Sequence, residues 1–153
     1  MLRFSGQPCR VRGALPQPIA EMFGPDAARF GLTEELPSDE RAARMDLQWR
    51  AHCEALPAET LPKMVAIQRL RDALLAQVAL QALTDTGGPV VVITGNGHAR
   101  TDWGVPALIK RADGDAQVFA LGQAEAGLLP EGTFDAVLDA PGVDRPDPCA
   151  AFR

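Results

Sequence analysis

The sequence predicts an α/β protein, in which a small parallel sheet flanked by helices is joined to an all-helical lobe. Two patterns predict this class: apolar residues recur at helical spacing in the first half, and short β-branched runs alternate with a helix after Gly87 and Gly88. Such alternation is typical of parallel sheets with right-handed crossovers. Three predicted strands are few for this kind of sheet, so we expect a missing segment or a second subunit to cover its edges.

The helical lobe begins with a short helix that Pro16 and Pro18 open and Gly24-Pro25 ends after Phe23. A second helix is predicted from Ser38 to about Leu56, because serine is a good N-cap and carboxylates follow it in the first turn. Six residues of this segment recur at the 3, 4, 3, 4 spacing that places them on one helical face. They are Ala42, Met45, Trp49, His52, Cys53 and Leu56.

A long helix is predicted from the Thr60 cap to about Asp85, with Pro62 tolerated in its first turn. Its predicted buried stripe consists of Met64, Ile67, Leu70, Leu74, Leu75 and Val78. Arg71 falls within this stripe, whereas Arg69 points to the opposite side. Because a charge on an apolar face needs a partner or a cavity, Arg71 is not expected to be ordinary solvated surface.

The α/β part follows, with strands predicted over "PVVVIT" (89–94), "AQVFAL" (116–121) and "FDAVLDA" (134–140). A short helix is predicted between the first two strands over "VPALIKRA" (105–112). Continuous β-branched runs are typical of strands buried on both faces of a parallel sheet.

Composition and charge exclude several classes of protein. With 46% hydrophobic and 23% charged residues, the chain has the balance of a core-forming globular domain. A net charge of -5 argues against general binding to nucleic acid or anionic membranes, both of which attract basic surfaces. No apolar run approaches the about 18 residues of a membrane span, and no secretory signal is recognisable, so the chain as written is predicted to be cytoplasmic.

The three cysteines are Cys9, Cys53 and Cys149, an odd number without CxxC spacing. This pattern indicates neither a zinc site nor a disulfide framework, and the prediction is reduced, unpaired thiols.

A candidate ligand-binding turn, Gly95-Asn96-Gly97-His98, comes directly after the first predicted strand. Ligands of open α/β sheets bind at the carboxyl ends of strands, and glycines permit positive φ or close approach of backbone to a ligand. A dinucleotide fingerprint would need glycine where Arg100 stands, and no phosphate-binding lysine follows. The alternatives are a functional His98 and a histidine that hydrogen-bonds within its own turn.

Two further polar residues, Asp102 and His52, each have two alternative roles. Asp102 could fix the tautomer of His98, as carboxylates do for metal-bound histidines, or cap a turn. His52 could be a ligand or a packing residue between Trp49 and Leu56.

Several motifs in order carry a resemblance to a known family. They are "AHCEALP", "MVAIQRLRDALLA", "VVVITGNGHARTDWGVP", "ALGQAE" and "DRPDPCAAF". Together they resemble the later part of the ChaN-like haem-binding uptake family, in the superfamily that includes the Tiki metalloproteases. The resemblance covers residues 14–153 and implies a helical lobe over about 14–60, a long helix over 61–85 and an α/β part over 87–148. Residues 1–13 are then a weakly ordered lead-in.

The resemblance implies a non-enzymatic haem or iron-associated protein that acts in haem or iron uptake or handling, as a homodimer enclosing haem. The positions that carry over are Gln68, Arg71, Asp72, Gly95, Asn96, Gly97, His98, Arg100, Gly104 and Pro106. We expect seven residues to face the ligand: His98, Arg100, Asn96, Gly97, Gly95, Arg71 and His52.

Two departures from the family leave alternatives open. The early Gly-Glu-x-His signature, which completes the metal site in the hydrolytic branch of the superfamily, is absent. A divalent-metal hydrolase with His98 as one ligand would need that segment from upstream, and the other alternative is a truncated inactive piece. The chain has no tyrosine, the residue that holds haem in this family, so axial ligation falls to His98, His52, a cysteine or a methionine. Propionate contacts fall to Arg71, Arg100 or Lys110, and a longer parent protein could be exported or lipid-anchored.

Overall fold

The computed structural model describes residues 19–152, which form five α-helices followed by two strands. These elements are α1 (Ile19–Phe23), α2 (Ser38–Ala51), α3 (Leu61–Thr86), α4 (Asn96–Ala99), α5 (Val105–Ala112), β1 (Leu121–Glu125) and β2 (Ala136–Ala140). Short 3-10 turns occupy Pro25–Ala28, Ala58–Thr60 and Ala150–Phe152. The predicted lead-in, Cys9, Pro16 and Pro18 lie outside the described residues.

Helix α2 begins where the sequence predicts and ends earlier. Ser38 is its first helical residue, so Pro37 and not Ser38 occupies the N-cap. The helix ends at Ala51, because Cys53 and Glu54 adopt left-handed φ angles of 60° and 59°. The predicted extension of the helical face to Cys53 and Leu56 is therefore wrong.

Helix α3 agrees with its predicted bounds within one residue, but its most buried residues are not those of the predicted stripe. Ala73 and Ala76 are fully buried, whereas Leu74 and Val78 are 44% and 48% exposed. The small alanines allow α5 and the helical lobe to pack closely against α3. Leu70 and Leu75 of the predicted stripe are partly buried against the core. Arg71 is exposed, so its predicted place in a buried stripe is wrong.

One core joins the helical lobe, α3 and α5. Its buried residues are Ala27, Phe30, Leu32, Ala73, Ala76, Ala79, Leu80, Val105 and Ile109. Phe30 is 1% exposed and stacks at a tilt on Phe23 of α1, with ring centroids 5.3 Å apart. The predicted short helix over 105–112 is confirmed as α5.

The sheet is parallel, as predicted, and consists of β1 and β2 paired from Leu121↔Ala136 to Glu125↔Ala140. The connection over 126–135, between the second and third predicted strands, contains no helix. The first predicted strand, 89–94, has no sheet partner among the described residues, and Val91 and Ile93 are 81% and 91% exposed. Together with residues 116–121 it borders an apolar cavity of about 440 Å³.

A disulfide connects Cys53, just after α2, to Cys149 near the end of the chain. The prediction of unpaired thiols is wrong for these two residues. Because 96 positions separate them, local spacing carries no sign of the pairing.

Candidate functional site

The site is built around a pair formed by His98 of α4 and Asp72 from the middle of α3. His98 Nδ1 lies 2.5 Å from Asp72 Oδ1, and the two side chains are 15% and 3% exposed. Burial raises the pKa of the Asp72 carboxyl, and the hydrogen bond with His98 opposes that rise. Since Nδ1 is engaged by the carboxylate, Nε2 is the ring nitrogen left for a ligand.

The turn that carries His98 is attached to the sheet through Asn96. The Asn96 side chain donates from Nδ2 to the Gln123 carbonyl at 2.7 Å and accepts at Oδ1 from the Gln123 N–H at 2.9 Å. Within the turn, the His98 and Ala99 N–H groups donate to the Gly95 carbonyl. The amide of Asn96, predicted to face a ligand, is thus engaged by β1.

The two glycines of this turn, Gly95 and Gly97, differ in their surroundings from Gly104, which follows the turn. A Cβ added at Gly104 would lie 2.3 Å from the His98 carbonyl oxygen and 2.6 Å from that of Arg100, so only glycine fits there. Gly95 and Gly97 have no heavy atom within 4 Å of an added Cβ, and neither has positive φ. Close approach of a ligand at these two glycines stays a prediction.

Arg100, Asp102 and Trp103 form a separate cluster. Arg100 is 6% exposed, donates from Nε and a terminal nitrogen to the Asp102 carboxylate, and lies 3.5 Å from the Trp103 ring centroid. Burial alone would raise the pKa of Asp102, but the hydrogen bonds from Arg100 lower it overall. Asp102 also accepts from the Trp103 N–H, which confirms the turn-capping alternative. The carboxylate on His98 is that of Asp72.

His52 and Arg71 lie apart from the His98 ring contacts. His52 caps the carboxyl end of α2, with Nδ1 2.7 Å from the Gln48 carbonyl oxygen, and it does not line the cavity beside His98. Arg71 is exposed, yet its charge lowers the pKa of Asp72, so it acts electrostatically on the pair.

A small cavity of about 60 Å³ lies beside the pair. The polar and aromatic residues around it include Arg44, Gln48, Gln68, Asp72, His98 and Trp103, and Gly97 contributes backbone. Sequence reasoning missed Arg44 and Gln48, because α2 was assigned an apolar face only. Gln68 and Asp72 were indicated through the family resemblance alone.

The residues near His98 do not form a divalent-metal site. Across residues 19–152, no group of three or more histidine, cysteine or acidic side chains is placed to hold a metal ion. The metal-dependent hydrolase with His98 as one ligand stays an untested alternative.

Comparison with known proteins decides the family. The family model described as haem-binding uptake, Tiki superfamily, ChaN matches residues 11–109. The chain belongs to this family. The match includes both Asp72 and His98, so the pair lies within the part of the chain that the family model covers.

Other comparisons add no relative. Neither the curated proteins nor the solved structures contain a match to this ChaN-type chain. None of the helices within residues 19–152 combines the length and apolar character that crossing a bilayer requires.

Proposed function

We propose that the chain binds haem through His98 and serves in haem or iron uptake or handling. The observation that carries the proposal is the contact between His98 and buried Asp72 inside the matched part of a haem-binding family. A carboxylate that accepts from one ring nitrogen fixes the tautomer and makes the other nitrogen a better metal ligand. Histidine is a common axial ligand of haem iron.

The His98 ring nitrogen suits haem iron, and the size of the cavity beside His98 determines where the porphyrin would lie. The cavity beside His98, at about 60 Å³, is far below the about 300 Å³ at which pockets for larger ligands begin. The porphyrin would therefore lie over the mouth of this cavity at the protein surface. The apolar cavity of about 440 Å³ is large enough, but no histidine, cysteine or methionine lines it.

The proposal includes a homodimer, in which a second copy covers the outer face of the porphyrin. A porphyrin lying on a surface leaves one apolar face in water, and covering that face is favourable. For the propionates, exposed Arg71 is the cation we assign, because Arg100 already holds Asp102 on both edges of its guanidinium.

We also propose that the full protein is exported. The Cys53–Cys149 disulfide supports this, because disulfides persist mainly in oxidising compartments. The cytoplasmic prediction rested on the absence of a membrane-spanning run and of a recognisable secretory signal.

A haemin titration followed by the Soret band tests the function. The wild type is expected to bind saturably and to shift to a dimer on size exclusion. His98→Ala should weaken binding at least about tenfold, since it removes the iron ligand and leaves Asp72 unpaired.

The chain's only other histidine provides the matched control. His52→Ala should bind haemin like the wild type. Loss of binding in His52→Ala with retention in His98→Ala would assign the iron to His52 and overturn this proposal.

A further inference from the structure

Arg69 of α3 places a positive charge in the wall of a second cavity. This cavity has a volume of about 270 Å³ and is lined by residues 30–37 together with side chains of α2, α3 and α5. Arg69 Nη2 donates to the Gly31 carbonyl at 2.7 Å and to the Glu34 carbonyl at 2.9 Å, and both of these residues line the same cavity. The guanidinium group itself is therefore held at the cavity wall.

The other two nitrogens of this guanidinium remain available to a ligand. Nε and Nη1 of Arg69 bond to no atom of residues 19–152, and neither nitrogen is sealed from solvent. Burial lowers the pKa of half-buried Arg69, and the positive charges of Arg44 and Arg111 lower it too. Glu40 and Glu34 oppose this effect. An anion beside the guanidinium would offset both the burial and the repulsion.

The acidic side chains around this cavity do not neutralise Arg69, because each has another partner. The pairs are Glu34–Arg111, Glu35–Arg41, Glu40–Arg44, Asp102–Arg100 and Asp72–His98. Among the charged side chains that line the cavity, Arg69 is therefore the one without an oppositely charged partner in residues 19–152.

We infer that this cavity binds a small monocarboxylic acid, whose carboxylate accepts from the unused N–H groups of Arg69. Guanidinium groups are well suited to carboxylates, and hydrogen bonds between two charged groups are stronger than those between neutral groups. A short hydrocarbon tail would contact the partly exposed apolar lining, which consists of Leu36, Pro37, Trp103, Ala107 and Leu108. This inference goes beyond haem binding and does not rest on it.

Other ligands match the cavity less well. A metal cation would be repelled by Arg69, and a neutral hydrocarbon would leave that charge unpaired while covering it. A phosphate dianion would bring a second negative charge beside the carboxylates of Glu34 and Glu40. The volume of about 270 Å³ is just below the about 300 Å³ at which sites for larger ligands begin, so the acid must be small.

The test uses Trp103, which lines the cavity, as a reporter. The chain has two tryptophans, so in a Trp49→Phe background the emission comes from Trp103 alone. Sodium hexanoate is titrated in the absence of haem at constant ionic strength, with hexanamide and hexylammonium chloride in parallel. Hexanoate should change the emission saturably, at concentrations at least about tenfold below those that the amide or the ammonium needs, because only hexanoate is negatively charged.

Variants connect the response to the cavity. Arg69→Gln should weaken hexanoate binding at least about tenfold, since it removes the charged donor. Ala107→Phe, which fills the apolar part of the cavity and keeps Arg69, should also weaken it. Lys63→Gln is the matched control, because it removes the same charge from the same helix at an exposed position outside the cavity.

Three results would overturn the inference: no saturation with hexanoate, equal binding of hexanamide, or equal effects of Arg69→Gln and Lys63→Gln. Circular dichroism of each variant establishes that it is folded. Because no haem is added in these titrations, failure here is distinguishable from failure of the haem titration.

A haem propionate has the same carboxylate chemistry, and Arg44, Asp72 and Trp103 line both this cavity and the smaller one beside His98. Haemin is therefore titrated with and without saturating hexanoate. Unchanged haemin affinity is the expected result, whereas competition would overturn the assignment to a free acid in favour of a propionate.

Discussion

Among single residues, the carboxylate beside His98 gives the sharpest test of the proposed site. Asp72→Asn should reduce haemin affinity about tenfold or more, because it removes the negative charge that increases the basicity of the ring. Asp102→Asn should leave the affinity unchanged, since Asp102 pairs with Arg100. Haemin titrations of both variants make the comparison, and equal losses would contradict the assignment of Asp72.

The local sequence pattern could indicate His98 but not its partner Asp72, which only the family resemblance indicated. His98 stands after an apolar run, where ligand-binding turns of α/β proteins lie. Asp72 lies 26 positions away on α3, and its contact with His98 depends on which face of that helix is buried. Helical periodicity favoured a stripe that included Arg71, which is exposed, and gave no sign that Asp72 is buried.

At the scale of the elements, α3 shows why that choice of face was wrong. Helix–helix contacts are closest where side chains are small, and here Ala73 and Ala76 are at the contact. Ala76→Leu should therefore destabilise the fold by about 1–3 kcal/mol through overpacking. Leu74→Ala, on the exposed face, should cost about 0.5 kcal/mol or less. Urea unfolding of the two variants measures the difference, and a larger loss in Leu74→Ala would contradict this packing.

The α4 turn depends on a close backbone contact with the start of α5. Gly104→Ala would bring a methyl group within 2.3 Å of the His98 carbonyl, so the turn must move. We expect a loss of about 1–3 kcal/mol in the free energy of unfolding together with weaker haemin binding. Gly114→Ala, at an exposed position where an added Cβ meets nothing, is the control. Thermal melts and haemin titration of the two variants provide the readouts, and an unchanged Gly104→Ala would exclude the close contact.

Strands were predicted less well than helices for a physical reason. A helix satisfies its backbone hydrogen bonds locally, whereas a strand needs a neighbour. Residues 89–94 have the composition of a strand, yet no described residue pairs with them. The ladder of β1 and β2 forms only from Leu121 onward, where β2 supplies the partner.

For the whole molecule, the Cys53–Cys149 disulfide joins the helical lobe to the end of the chain. Closing a loop of this length restricts the unfolded state, and its loss typically costs about 2–5 kcal/mol. Reduction with dithiothreitol should therefore lower the midpoint of thermal unfolding, and Cys53→Ser with Cys149→Ser should reproduce that value without reductant. Cys9→Ser should respond to reductant like the wild type. A midpoint unaffected by dithiothreitol would contradict the disulfide.

The same bond makes a covalent ring of residues 53–149. Helices α3, α4 and α5 and both strands belong to the ring, whereas α1 and α2 precede it. A protease that cuts once within the ring leaves two fragments still attached, and a cut between α1 and α2 releases a separate peptide. Electrophoresis without reductant therefore reports cleavage of the lobe alone, and nicks around Asp72 and His98 become visible only after reduction.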